Sequence, residues 1–60
     1  MPTNAEKLAG VERELELRRR VYPNWVGDGR MSRRFADQQI ALFEAIAADY
    51  RDLAEGDRLL

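Results

Sequence analysis

The sequence predicts an all-α fold: a two-helix antiparallel hairpin assembled as a homodimeric four-helix bundle. Three observations predict it. Two segments carry apolar residues at helical spacing, a glycine-rich break separates them, and the second segment is apolar over more surface than one neighbour covers. No stretch of four or more residues alternates cleanly between apolar and polar, so no strand is expected.

Helix one is expected over residues 4–26. Asn4, or Thr3 before it, supplies an oxygen for the first free amides, and Thr3 with Glu6 has capping-box spacing. Leu8, Val11, Leu15 and Tyr22 then advance in steps of three, four and seven, which is one helical stripe. Trp25 and Val26 extend the stripe past Pro23, a residue that removes a backbone hydrogen bond and bends or ends a helix. Two readings fit: a helix ending near Val21, or a helix kinked near Pro23 that runs to Val26. The retained phase of Tyr22 and Trp25 favours the second.

Residues 27–32 form the turn. Gly27-Asp28-Gly29 is the one strong breaker cluster, since glycine takes the left-handed conformation that ends a helix. Ser32 stands where an N-cap belongs, and helix two follows over residues 33–55. Its seam of Ala36, Ile40, Phe43, Ala47, Tyr50 and Ala54 alternates in steps of four and three, a heptad pattern. A second stripe of Phe35, Leu42, Ile46 and Leu53 flanks it. Gly56 is the expected stop, with a frayed tail after it.

The second stripe drives the dimer expectation. One helix buries one stripe against its hairpin partner, so the surplus must meet something else, and a two-fold homodimer is the simplest answer. Dimerisation also relieves the small-core problem. A single domain of 60 residues rarely gains more than ~3–5 kcal/mol from its own core. The expected core and dimer residues are Leu8, Leu15, Phe35, Ile40, Leu42, Phe43, Ile46, Tyr50 and Leu53.

Composition narrows the chemistry. Cys and His are absent, which excludes disulfides, thiolate or imidazole metal sites, Cys nucleophiles and His acid–base catalysis. Asp49 and Asp52 lie three apart on one helix, but a chain this small offers no walled pocket or supporting shell for a hydrolytic pair. No enzyme activity, cofactor or metal is expected. The charged first twenty residues contain no signal-peptide core, and no apolar run reaches the roughly 20 residues of a membrane span. A cytoplasmic protein without membrane association is the expectation.

Charge is distributed unevenly. Between Arg18 and Arg34 lie six arginines and one acid, Asp28, a local net charge of +5; the remainder carries four basic and ten acidic residues. In a hairpin the turn end is therefore basic and the end holding both termini acidic. Part of this pattern serves the helices themselves, because Glu14–Arg18 and Glu16–Arg20 have stabilising i,i+4 spacing. Tyr22, Trp25, Met31 and Phe35 cluster about the turn, either closing the end of the bundle or presenting Trp25 as an anchor. The expected partner-binding residues are Arg18, Arg19, Tyr22, Trp25, Arg30, Arg33 and Arg34, types that dominate interface hot spots. Nucleic acid is the less favoured alternative, given an acidic chain of pI about 5.3 without the third helix of a helix-turn-helix domain.

The string from Val11 to Pro23, with Arg18-Arg19-Arg20-Val21-Tyr22-Pro23 at its end, then Trp25-Val26 and Gly29-Arg30-Met31, resembles small proteins encoded by tailed bacteriophages and prophages. The second half continues the likeness through Ala36-Asp37-Gln38-Gln39-Ile40 and Glu44-Ala45-Ile46-Ala47-Ala48-Asp49-Tyr50-Arg51, so that residues 11–51 are covered. The group includes a quorum-sensing anti-activator of a Pseudomonas phage. The resemblance implies a dimerising two-helix protein, acting in the cytoplasm of a host bacterium, that binds and modulates a host protein. A LuxR-type transcription regulator and the type IV pilus assembly ATPase are the implied candidates. A structural phage component is a further alternative.

Overall fold

The computed structural model describes residues 1–59 and contains two helices, α1 (Asn4–Gly27) and α2 (Arg33–Arg58), folded against each other as a hairpin. The molecule measures 48 × 16 × 16 Å, two helices wide, and among the described residues the contact between α1 and α2 is the whole of its tertiary structure.

Each boundary has a local cause. At the start of α1, Thr3 Oγ1 accepts from the Glu6 amide at 3.1 Å while Glu6 Oε1 accepts from the Thr3 amide at 2.9 Å, a complete capping box with Thr3 rather than Asn4 at the cap. The helix then runs through Pro23 to Gly27, beyond the end near Val21 of the shorter reading. Its end is a Schellman motif. The Arg30 amide donates to Trp25 O at 2.9 Å and the Gly29 amide to Val26 O at 3.1 Å, with Gly29 at φ 76°. Ser32 Oγ accepts from the Phe35 amide at 3.0 Å and opens α2.

The far end corrects the expected stop near residue 55. Helix α2 passes through Gly56 to Arg58. Glycine disfavours a helix by only about 1 kcal/mol. That is offset where Arg58 sits favourably in the last turn and pairs with Glu55 at 3.2 Å. Asn4 Nδ2 also donates to Asp57 Oδ2 at 3.1 Å, tying the last turn of α2 to the first turn of α1.

The seam of α2 faces α1 as expected, and its alanines matter most. The cross-helix pairs Arg19–Glu44, Glu12–Arg51 and Asn4–Asp57 fix the antiparallel register. In that register Leu15 lies level with Ala47, Val26 with Ala36, and Leu8 with Ala54. Large side chains on α1 thus meet small ones on α2, and the helices approach closely. Leu15, Ala36 and Ala47, at 5%, 5% and 2% exposure, are the buried residues among those described. Ile40, Phe43, Tyr50 and Leu8 are half-buried. Phe43 is therefore not the deeply buried centre that the heptad pattern implies, and its ring is covered on one side by Arg18, 4.1 Å away.

Truncating the one large buried side chain, Leu15→Ala, is expected to lower stability by about 2–5 kcal/mol in thermal or urea unfolding, and Phe43→Ala by less. Gly29→Ala places a Cβ in the left-handed region and should cost roughly 1–2 kcal/mol by the same measurement. The Glu6 carboxyl is held below its ordinary value of 4.5, first by the Thr3 backbone hydrogen bond and then by the Thr3 hydroxyl. A depressed carboxyl contributes stability above its unfolded-state value and loses it as the pH falls through the folded one. Amide exchange in the first turn of α1 should therefore accelerate on acidification below the ordinary Glu range, and Glu6→Gln should flatten that dependence.

Candidate functional site

The hairpin has two faces of different chemistry. One carries the cross-helix ion pairs Arg19–Glu44 at 2.7 Å and Arg51–Glu12 at 3.4 Å. All four side chains are about half exposed, where such pairs contribute ~0–1 kcal/mol each. On the opposite face the Arg18 guanidinium covers Phe43, and Lys7 Nζ lies 5.5 Å from the Tyr50 ring centre.

That second face is apolar and uncovered. Phe35, Leu42 and Leu53 on α2 are 48%, 50% and 52% exposed, with Ile46 half-buried between them. From α1, Val21 and Trp25 lie alongside, and Leu17 stands at the margin. Of the expected core and dimer residues, Leu15 is buried, Leu8, Ile40, Phe43, Ile46 and Tyr50 are half-buried, and Phe35, Leu42 and Leu53 are exposed. The sequence reading found this stripe on α2 but missed its extension onto α1. Leu17 and Val21, spaced i,i+4 and out of phase with the seam, were the available signal.

The residues singled out at the turn end are brought together, in different states. Arg18 is engaged within its own helix: Nη1 donates to Glu14 Oε2 at 2.8 Å and to Glu14 O at 3.1 Å. The Glu14 hydrogen bond favours its charged form, with Tyr22 adding to the effect. Its Nε is buried without a partner. Arg19 is held by Glu44. Arg30 folds back over Trp25, its guanidinium carbon 5.5 Å from the ring centre, a contact that follows from the Schellman turn joining their backbones. The Tyr22 and Trp25 rings are 5.8 Å apart and tilted by 34°. Arg33 and Arg34 form no ion pair among the described residues, and neither does the anticipated Glu16–Arg20 couple.

Two clefts open on the ion-paired face. The one at the turn end, about 210 Å³, has an apolar floor of Tyr22, Pro23, Val26, Ala36 and Ile40, rimmed by Arg18, Arg19, Arg33 and Asp37. It exists because Ala36, small and opposite Val26, leaves room where a larger residue would fill the gap. The second, about 350 Å³, is a polar trough over Leu15 and Ala47, bridged by the two ion pairs. Neither involves Asp49 or Asp52, which stand exposed on α2. Among the described residues no cluster of three or more acidic side chains is placed to hold a metal ion, and no helix is long and apolar enough to cross a membrane. Pro23, Val26 and Asp37 had not been marked as site residues. Their spacing against the small Ala36 was visible, but the cleft depends on helix register, which a single sequence does not specify. Comparison with protein-family models, characterised proteins and solved structures finds no match to this chain.

Proposed function

We propose that the chain is a non-catalytic, phage-type interaction protein that works as a homodimer in the cytoplasm of a host bacterium and modulates a host protein. The observation that carries the reading is the uncovered apolar face of Phe35, Leu42, Ile46 and Leu53 with Val21 beside it, set against a hairpin that buries so little of itself. A second copy covers that face economically, because a self-complementary surface closes under two-fold symmetry and no edge is left over. The stripe runs most of the length of α2.

The host-protein part rests on the phage-like motifs, which favour a LuxR-type transcription regulator or the type IV pilus assembly ATPase as targets. Arg33, Arg34, Arg30 and Trp25, with Arg18, Arg19 and Tyr22 behind them, are the proposed contact residues. A basic, aromatic-bearing end supplies steering toward an acidic partner surface and anchors once there.

Sedimentation equilibrium is expected to give a dimer at micromolar concentration and a monomer for Leu42→Glu. The melting temperature of the natural chain should rise with protein concentration. A fully folded, stable monomer of the unaltered protein overturns the dimeric reading. Reversal of Arg33 and Arg34 to Glu should abolish capture of the host target, whereas Asp49→Lys with Asp52→Lys should leave it intact. The opposite result places the site at the other end. Binding that falls steeply and linearly with log salt, and that nucleic acid competes away, favours a nucleic-acid regulator instead. Capture of virion proteins alone favours a structural phage component.

A further inference from the structure

The turn-end cleft combines an apolar floor with cationic walls. We infer that it is a docking site for an acidic peptide segment of a protein partner. Such a segment seats one apolar side chain on Pro23, Val26 and Ile40 and sets an adjacent carboxylate against Arg33. The inference rests on the protein-binding reading above and names the chemistry of the partner at that end.

Size points to a side chain rather than a small molecule. At about 210 Å³ the cleft is below the ~300–1,000 Å³ of ordinary small-ligand pockets. Charge complementarity selects the flanking group. Arg19 is already held by Glu44 at 2.7 Å, but Arg33 has no ion-pair partner among the described residues. Arg33 also stands in the first turn of α2, where the helix dipole is positive and no acidic side chain offsets it. An external carboxylate relieves both unfavourable terms. Asp37, one turn further along α2, is the single acid on the rim and repels a carboxylate placed at its end. Together they orient the segment, carboxylate toward Arg33. Nucleic acid is a poorer occupant, since a phosphate backbone makes no use of the apolar floor. The cleft takes in none of Phe35, Leu42, Ile46 and Leu53, so covering that stripe leaves it open.

The test is fluorescence anisotropy of the full-length protein with a short fluorescein-labelled peptide bearing one leucine flanked by glutamates. Arg33→Gln should weaken binding about tenfold, the scale of one lost charge-assisted contact. Asp37→Asn should tighten it severalfold. Both residues are exposed, so melting curves and sedimentation should be unchanged. Replacing the peptide's leucine with serine, or its glutamates with glutamines, should each weaken binding. Equal binding of the serine peptide, indifference to Arg33→Gln, or displacement by a single-stranded oligonucleotide at lower concentration than by unlabelled peptide overturns the inference. Failure of the peptide while host capture still requires Arg33 and Arg34 removes the cleft but keeps the protein-binding reading. Sedimentation alone decides the dimer, whatever the peptide does.

Discussion

Everything in this molecule follows from the close approach of two helices along a single stripe, set by small side chains on one and large ones on the other. Ala47 opposite Leu15 is the most buried point among the described residues, and the alanines at 36 and 54 repeat the arrangement toward each end. A large residue at any of these positions pushes the helices apart and leaves Leu15 without neighbours. Because α1–α2 is the only contact between elements among the described residues, no second layer compensates. Small residues at the seam lower the apolar area each helix buries, and area is what stabilises a fold. The hairpin thus obtains a well-defined register while keeping most of its apolar surface outside.

Register then dictates where the charges go. With Leu15 level with Ala47, the positions one step around each helix carry Glu12, Arg19, Glu44 and Arg51, which cross-pair on one face. These exposed pairs add little energy, yet a slide of one helical turn breaks both at once. The opposite face has no such cross-links, and its cations serve as covers instead, Arg18 for Phe43 and Lys7 for Tyr50.

What a single sequence reveals here is set by the range of each interaction. The caps at Thr3 and Ser32, the reversal at Gly29 and the seam of α2 are local patterns, and each is recoverable from a few neighbouring residues. The passage of α2 through Gly56 was missed because a contact 53 residues away in sequence, Asn4 to Asp57, helps to hold that turn. Phe43 was overvalued for a related reason. Heptad spacing identifies the side of a helix, but in a pair of helices without a third layer the side facing the neighbour is only partly covered. The cleft beside Pro23 lay furthest out of reach, since it depends on which residue of α1 stands opposite Ala36.

The basic turn end shows how one run of like residues divides into separate tasks. Arg18, Arg19 and Arg20 are consecutive, so a helix of 3.6 residues per turn sends them in three directions. Arg18 turns inward along the stem of the hairpin, where its aliphatic chain and planar head pack on Phe43 and its charge meets Glu14. Arg19 reaches across to Glu44, and Arg20 points to solvent. Two of the three are thus neutralised inside the fold, and the positive potential at this end comes chiefly from the residues after the turn. Arg30 is oriented by its stacking on Trp25. Arg33 and Arg34 form no ion pair among the described residues. A folded end that leaves these cations in the first turn of a helix, against the direction of its dipole, has retained charge that its own stability does not need. That separation of roles, with some arginines serving the fold and others facing outward, leaves the turn end with cations that form no ion pair among the described residues.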